Sequence, residues 1–439
     1  MKYWEYGLLQ VSENGRYLTN GNRPFLWLGD TAWLLLQQCS LADARIYLKN
    51  RKEKGFNVIQ ATLIHSMPGE EGSSLAAAKK DVLSEAYWEH CDQVVKMAEE
   101  LGLYMGLLPT WGSIVKSKIL NVDNVDRYAE FLGRRFGNCP NVIWILGGDI
   151  RGSEGLDVYP KFGRRLKELT PDKLIAYHPF GRTASSQWFH QEDWLDINMF
   201  QSGHRRYDQA SLGEWDDNAV KEEFFGEDNW RYVERDRAKE PAKPTLDGEP
   251  SYEQIPQGLH DPGQPYWQAC DVRRYAYWSL FQGAAGHTYG NNAVQQCYTG
   301  DGNGNYGVRE VWQEAIHHEG SGQLKHLVNL MRSVDYMTGR PAEELLLSGQ
   351  KEKYDRVSVF AGVDFIFCYD YTGHGFTLDL SSYQGRHLEV WWMDPVSGAY
   401  SYLQEADRME MITVKPVAKH SGQNDWVLVV RSRNNEMCL

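Results

Sequence analysis

The sequence predicts an α/β protein, a (β/α)8 TIM barrel followed by a small antiparallel β-sandwich. Over roughly the first three quarters of the chain, short apolar and β-branched runs alternate with helical patterns, as the strands and helices of a parallel barrel do. Several of these runs end in a glycine followed by an acid, at the point where barrel strands present functional side chains. From residue 343 onwards the pattern changes to short strands separated by turns.

Composition restricts the kinds of partner. The chain has 439 residues, enough for a large barrel and a smaller module. Its 46 basic and 59 acidic residues give a net charge of −13 without any block of Lys or Arg, so no nucleic acid partner is expected. The 16 Trp and 25 Tyr suit an oligosaccharide or polysaccharide, since flat rings cover the apolar faces of sugars, although most of them should fill the core.

The N-terminus and the cysteines bear on location. No apolar signal core follows Met1 and no window of about 18 apolar residues occurs, so we expect no membrane partner and no leader peptide. The predicted location is cytoplasmic, although a chain with a trimmed leader would look the same. Seven scattered cysteines without a Cys-x-x-Cys pair predict reduced thiols, not disulfides or a zinc site. The oligomeric state is left open.

The first half of the barrel has clear boundary signals. Residues 1–24 predict a hairpin preface, because Asn-Gly turns separate its apolar runs. Ser40 and Asp43 form a capping box where a helix begins, and Gly102 ends a helix whose apolar residues recur at steps of three and four. The predicted strands are Phe25–Asp30, Phe56–Leu63, Tyr104–Pro109 and 141–149, and the helices are Leu41–Lys54, Tyr87–Leu101 and Val122–Phe136.

The second half of the barrel has weaker signals. A long polar and acidic excursion across 202–240 interrupts the alternation of strands and helices. Around it, apolar runs still predict strands at Leu174–His178, Trp194–Gln201, Pro244–Glu249 and Ala285–Tyr289. The helices predicted here are Lys161–Leu169, Asp271–Phe281 and Leu324–Thr338.

A domain boundary is predicted near the turn-forming run Gly339-Arg340-Pro341. Residues 1–342 would form the catalytic barrel with its N-terminal β extension, and residues 343–439 the sandwich. The strands predicted within the sandwich are Val357–Phe360, Asp364–Tyr369, Phe376–Leu380, Leu388–Met393, Ala399–Leu403, Met411–Val414 and Trp426–Val430.

Polar side chains at the ends of the predicted barrel strands define a candidate active site, because these ends surround one mouth of such a barrel. Hydrolysis of a glycoside needs one protonated carboxyl group and one ionised carboxylate. We therefore assign Asp149, at the end of strand four, as acid/base and Glu249, at the end of strand seven, as nucleophile. The candidate substrate-binding residues at the other strand ends are Asp30, His65, Trp111, His178, Gln201 and His287.

Each assignment has a structural alternative. An acid at a strand end can instead cap a helix or tie down a loop, and Asp247 competes with Glu249, since residues two apart on a strand share a face. Asp30 could be a structural hydrogen-bonding residue, and each histidine could be structural. The run His-His-Glu at 317–319 is not expected to bind a metal, because adjacent residues point apart on a helix. Without a dinucleotide-binding or Walker motif, we expect no cofactor and no catalytic metal.

Four motifs in this order resemble the apiosidase-like family, glycoside hydrolase family 140: FLWLGDTAW at 25–33, GFNVIQ at 55–60, NVIWILGGD at 141–149 and DGEPSYE at 247–253. The resemblance covers about residues 8–340, and the tail resembles the collagen-binding-type β-sandwich of that family. It implies a retaining hydrolase with Asp149 in the acid/base position and Glu249 in the nucleophile position. Many proteins of the same barrel clan carry Asn-Glu at the acid/base position, where this chain has Gly148-Asp149.

The activity that the resemblance implies is cleavage at apiose in side chains of a pectic glycan, rhamnogalacturonan II. Two alternatives remain. The barrel could hydrolyse another furanoside or β-linked sugar, such as an arabinofuranoside. It could also be an inactive barrel in a carbohydrate-binding protein, although the presence of both carboxylates favours an enzyme.

Overall fold

The computed structural model describes residues 2–67, 81–82, 84–209, 225–302, 304–381, 388–406, 411–419 and 422–432. The strands of the N-terminal and barrel regions are β1 (Leu9–Val11), β2 (Leu18–Asn20), β3 (Arg23–Phe25), β4 (Trp27–Thr31), β5 (Val58–Ile64), β6 (Tyr104–Thr110), β7 (Val142–Ile150), β8 (Ile175–Pro179), β9 (Asn198–Phe200), β10 (Thr245–Asp247) and β11 (Gly286–Tyr289). Those of the C-terminal region are β12 (Arg340–Pro341), β13 (Leu346–Ser348), β14 (Val357–Ala361), β15 (Phe365–Asp370), β16 (Phe376–Asp379), β17 (Leu388–Met393), β18 (Tyr400–Ala406), β19 (Met411–Val414) and β20 (Trp426–Ser432).

Helices surround the barrel strands. They are α1 (Leu35–Gln38), α2 (Leu41–Glu53), α3 (Glu85–Leu101), α4 (Gly112–Lys116), α5 (Val125–Phe136), α6 (Tyr159–Leu169), α7 (Asn229–Arg237), α8 (Ala269–Phe281), α9 (Asn292–Gln295), α10 (Trp312–Ala315) and α11 (Glu319–Arg332). Within the described ranges, none of the helices combines the length and the apolar character needed to cross a membrane.

Eight parallel strands form the barrel, in the order β8-β7-β6-β5-β4-β11-β10-β9. The first and last barrel strands are joined, because β4 pairs with both β5 and β11. The remaining seam, between β8 and β9, carries a parallel bridge from Ala176 to Ile197. The predicted (β/α)8 barrel is therefore confirmed, with Asp149 on its fourth strand, β7, and Glu249 just beyond its seventh strand, β10.

Local sequence explains the clearest of these elements. Every residue of β4, β5 and β6 is buried, as is usual for parallel strands covered on both faces. The capping box of Ser40 and Asp43 begins α2. Gly102 ends α3 in the left-handed conformation, with φ 71°.

Two predicted strands have different bounds in the structure. The strand predicted from Phe25 is divided, because β3 ends at Phe25 in a separate three-stranded sheet with β1 and β2, and β4 begins at Trp27. The strand predicted over 194–201 is shortened to β9. Trp194 packs tightly against Gly163 of α6, because a Cβ added to that glycine would lie only 2.2 Å from the indole ring. Trp194 therefore belongs to the packing of the helix layer and not to the barrel sheet.

Two helical regions also differ from the prediction. The helix predicted over 324–338 begins earlier and ends earlier, as α11, and a short 3-10 turn follows at Tyr336–Thr338. The polar excursion predicted over 202–240 contains α7, whose residues Tyr232 and Val233 are buried. Part of that excursion, 210–224, lies outside the described residues.

The C-terminal region contains two antiparallel sheets, β12-β14-β15-β20-β17-β18 and β13-β16-β19, which confirms the predicted β-sandwich. The larger sheet packs on α8 of the barrel. The rings of Tyr277 and Tyr369 stack there with centroids 4.3 Å apart, and Arg273 Nε lies 2.9 Å from Asp425 Oδ2 in a buried ion pair. Breaking this pair by removing one partner would leave a buried charge without compensation.

Candidate active site

The end of β7 is bent by three consecutive residues with positive φ. Gly147, Gly148 and Asp149 have φ of 95°, 96° and 50°. The pairing of β7 with β8 shifts register between Gly147 and Ile150, as at a β-bulge. Such a bulge changes the direction in which a strand presents its side chains. It therefore aims the Asp149 carboxylate at the barrel mouth.

Gly148 is required by both conformation and space. Its φ is one that side-chain-bearing residues rarely adopt, and a Cβ there would lie 2.8 Å from Cε3 of Trp111. Trp111 is thereby held directly over the backbone that carries Asp149. We expect Gly148→Ala to lower the free energy of unfolding by about 1–3 kcal/mol and to lower turnover, because either Trp111 or Asp149 must move.

Thermal unfolding and steady-state rates on a common substrate would check this expectation. Gly322→Ala is the matched control, since a Cβ at Gly322 meets nothing within 4 Å and that residue lies in α11. The control should keep the wild-type melting temperature or raise it slightly. A Gly148→Ala protein with wild-type stability and turnover would contradict the account.

Glu249 is held between two histidines. His204 Nε2 lies 3.0 Å from Oε1, and His178 Nε2 lies 3.1 Å from Oε2. The backbone N–H of Tyr252 donates to His204 Nδ1 at 3.3 Å, so the ring hydrogen of His204 resides on Nε2 and is donated to Glu249. Burial raises the pKa of Glu249, but the two imidazoles outweigh it and lower that pKa to about 2. Glu249 is therefore kept ionised.

Asp149 has the opposite electrostatic environment. Burial, followed by the charge of Glu249, raises its pKa to about 7, although His178 and a hydrogen bond with Gln201 oppose the rise. One carboxylate oxygen of each acid and one ring nitrogen of His178 all lie within 4.8 Å of one another. Two neighbouring carboxyl groups with separated pKa values can act as a proton donor and an ionised partner.

The trio of Asp149, His178 and Glu249 also has the atom types of a metal site. The absence of a catalytic metal is a prediction from the sequence, and turnover after dialysis against a chelator would test it.

Aromatic rings form one wall of the mouth beside the acids. The rings of His65 and Trp111 stack at a centroid distance of 4.8 Å. Trp33 meets Trp111 at 5.2 Å and His178 at 5.1 Å, edge to face in both cases. Burial lowers the pKa of His65 to about 3, so its ring is neutral near pH 7. Neither ring nitrogen of His65 has a hydrogen-bond partner in the described part of the chain, but the ring is 1% exposed, so it lies behind the surface of the mouth.

Two predicted sugar-binding residues lie elsewhere. Asp30 has no exposed surface, its Oδ2 lies 2.8 Å from Arg51 Nε, and Tyr47 of α2 donates a hydrogen bond to it. Its carboxylate therefore faces the helix layer, which corrects the expectation of a sugar contact. In the parallel pairing of β11 with β4, Tyr289 lies opposite Asp30. His287 is two residues before Tyr289, so it points to the same face of the sheet as Asp30, towards the helix layer. The expectation of a sugar contact at His287 is corrected in the same way.

Asp247 also turns out to face away from the mouth. Its Oδ2 accepts hydrogen bonds from Ser202 and from Asn229 of α7. Burial raises its pKa to about 7, against the effect of these hydrogen bonds. The chain bends after β10, so Asp247 and Glu249 do not share a face, and Asp247 is not an alternative nucleophile by position.

The structure brings together six of the eight predicted residues: Asp149, Glu249, His65, Trp111, His178 and Gln201. It adds Trp33, His204 and Tyr252, which the sequence analysis missed. Trp33 lies two positions beyond the end of β4, so it would have been predicted if residues slightly beyond each strand end had been included. His204 lies in an irregular segment after β9 that has no periodic signal.

A parallel barrel with two close carboxylates of opposed pKa at its mouth, beside an aromatic wall, is the catalytic arrangement of a glycoside hydrolase. Comparison with known families agrees. The profile "Apiosidase-like, catalytic domain" matches residues 12–338, and "Putative collagen-binding domain of a collagenase" matches residues 341–431. The chain belongs to the apiosidase-like family of glycoside hydrolases.

Solved structures support the same class. A protein described as a glycoside hydrolase is 38% identical, with a TM-score of 0.91 and coverage of 99% of both chains. A glycoside hydrolase family 5 protein from Bacteroides vulgatus ATCC 8482 is 36% identical, also with a TM-score of 0.91, covering 99% of this chain and 96% of that one. No curated protein matches the sequence.

Proposed function

We propose that this glycoside hydrolase acts with retention of configuration on plant cell-wall-type glycans, and that it cleaves apiosyl linkages in side chains of pectic rhamnogalacturonan II. The observation that carries the mechanism is the closeness of Asp149 and Glu249, whose oxygens come within 4.8 Å. Retaining enzymes place their two carboxyl groups about 5–5.5 Å apart, whereas inverting enzymes need about 6.5–9.5 Å to admit a water molecule. The short separation favours direct attack by a carboxylate.

The first step forms a bond between a Glu249 oxygen and the anomeric carbon. The bond from that carbon to the leaving oxygen breaks, and Asp149 gives its proton to this oxygen. Glu249 suits attack because its histidine contacts keep it ionised. Asp149 suits proton donation because its raised pKa keeps it protonated below neutral pH.

The second step releases the sugar. Asp149, now ionised, accepts a proton from a water molecule whose oxygen attacks the anomeric carbon. The bond to Glu249 breaks, and both carboxyl groups return to their starting states. Two inversions at one carbon leave the product with the configuration of the substrate.

The substrate assignment depends on the family and on the wall of the mouth. The apiosidase-like family membership favours an apiosyl linkage. Trp111, the most exposed of the three rings, offers an apolar face of the kind that sugars use, and the buried rings of Trp33 and His65 pack against it.

The pKa shifts predict a pH profile with a basic limb near neutrality. Turnover needs Glu249 ionised and Asp149 protonated. Because the pKa of Glu249 is low and that of Asp149 is raised to about 7, kcat/KM should be high in mildly acidic solution and fall as the pH rises through about 7. Rates from pH 4 to 9 would test this, and Asp149→Asn should lose the basic limb on a substrate with an activated leaving group. A limb that persists in that variant would belong to another group.

A panel of substrates tests the proposed function. We would incubate the wild type and Glu249→Gln with rhamnogalacturonan II oligosaccharides, arabinofuranosides and β-glycosides, and follow the first-formed anomer by NMR. Release of apiose of retained configuration by the wild type alone would support the proposal. Cleavage of an arabinofuranoside alone would replace the apiosyl substrate by an arabinofuranoside. A product of inverted configuration would exclude the double-displacement mechanism. Binding without hydrolysis across the panel would favour the carbohydrate-binding alternative.

A further inference from the structure

A buried carboxylate joins the β-sandwich to the segment that carries His204. Glu227 is fully buried, and its Oε2 lies 2.6 Å from Nη2 of Arg274 on α8. Its Oε1 accepts hydrogen bonds from the backbone N–H of Tyr207, at 3.2 Å, and from the hydroxyl of Tyr354. Tyr354 belongs to the region matched by the collagen-binding-type profile, whereas Tyr207 follows His204 by three positions. One side chain therefore contacts barrel, sandwich and active-site segment.

Rings of the sandwich cover this carboxylate and its arginine. The Arg274 guanidinium lies 4.8 Å from the centroid of the Tyr354 ring and 5.2 Å from that of Tyr371. The rings of Tyr207 and Tyr354 meet edge to face at 5.3 Å. A hydrogen bond to a charged group is stronger when water is excluded from it. Tyr354 itself is 37% exposed, but the Glu227 carboxylate that its hydroxyl contacts is fully buried. Loss of the hydroxyl would therefore remove one of the few hydrogen-bond donors to a buried carboxylate.

The segment from Ser202 to Tyr207 runs beside the chain that carries the nucleophile. The backbone N–H groups of Ser202 and Gly203 donate to the carbonyl of Glu249 at 3.1 and 3.0 Å. The His204 carbonyl accepts from the indole N–H of Trp267 at 3.2 Å, and its ring donates to the Glu249 carboxylate. A shift at Tyr207 would therefore reach the hydrogen bond that His204 makes with Glu249.

We propose that the β-sandwich is a positioning element of the active site: the Tyr354 hydroxyl, acting through Glu227 and the segment 204–207, holds His204 against Glu249. The inference rests on the proposed function, in which Glu249 is the nucleophile. Tyr354 is a positioning residue, because it acts through these intermediates and not on the reacting atoms. In this positioning role the sandwich contacts only the barrel of the same chain, so the role does not depend on binding to collagen.

Tyr354→Phe tests the proposal by removing one oxygen and keeping the ring. We expect kcat to fall roughly tenfold, as for the loss of a hydrogen bond to a charged group, while KM stays close to the wild-type value. Tyr402→Phe, on β18 of the same domain and 51% exposed, is the matched control and should leave both parameters unchanged. A Tyr354→Phe protein with wild-type kcat would overturn the proposal.

Combination with His204→Gln shows whether Tyr354 acts through His204. If it does, Tyr354→Phe should cause no further loss of kcat in the His204→Gln background, because the contact that it supports is already gone. Full additivity of the two losses would overturn the proposal. It would mean that Tyr354 affects turnover by another route.

A readout independent of activity separates this proposal from the proposed function. Nitrogen-15 NMR of the histidine rings should show His204 with its hydrogen on Nε2 in the wild type, the signal being identified by its loss in His204→Gln. Tyr354→Phe should shift or broaden that signal. An unchanged signal would overturn the positioning role even in an active enzyme. A changed signal in a protein that hydrolyses no glycan would support the positioning role and remove the proposed function alone.

Discussion

Glu249→Gln is expected to lower kcat/KM by about 10⁴-fold or more, the usual scale for loss of a nucleophile. Glutamine keeps the shape of the side chain and can still contact His178 and His204, so the protein should fold. It lacks the anionic oxygen that would form the glycosyl-enzyme bond. Asp247 cannot take over, because its carboxylate is turned towards Ser202 and Asn229.

Initial rates on the best substrate of the panel would measure the loss, and mass spectrometry of the wild type with a slow fluorinated glycoside would locate the covalent intermediate. Asp247→Asn is the matched control, since it removes an acidic group two residues earlier in the same buried segment. It should weaken the packing against α7 and lower the melting temperature, with most turnover retained by the folded enzyme. Trapping of the sugar on any residue other than Glu249 would contradict the assignment.

Asp149→Asn is expected to lower kcat by about 10²- to 10⁴-fold on a natural glycoside, the scale of general acid catalysis. Asparagine is the suitable replacement, because Asp149 has a φ of 50° and asparagine tolerates the left-handed region better than most residues. The loss should be far smaller on an aryl glycoside with an activated leaving group, since that group departs without a proton.

The ratio of the losses on the two substrates is the decisive measurement for Asp149. Gln201, which hydrogen-bonds Asp149, provides the comparison: Gln201→Glu keeps the size of the side chain but adds a negative charge beside the acid. It should raise the pKa of Asp149 further and move the basic limb to higher pH while keeping the preference between leaving groups. Equal losses on both substrates in Asp149→Asn would remove Asp149 from the acid role.

Much of the site could be predicted because barrel strands are recognisable from local patterns. The run that ends at Asp149 is apolar throughout and stops at two glycines, so both the strand and its polar end are visible in nine residues. Asp30 ends a run of the same appearance, yet its carboxylate faces α2. The difference is the β-bulge at Gly147, which directs the Asp149 side chain towards the barrel mouth. The pairing of β4 with β5 has no such bulge.

The sequence by itself determined the barrel, the sandwich and the placement of Asp149 and Glu249 at strand ends, because periodicity and burial are encoded in neighbouring residues. The tertiary structure alone decided which side chains face the mouth and which contacts separate the pKa values of the two acids. His204 reaches Glu249 across 45 positions, and Tyr354 reaches Glu227 across 127. Contacts over such separations depend on how the whole chain packs, and no local pattern carries them.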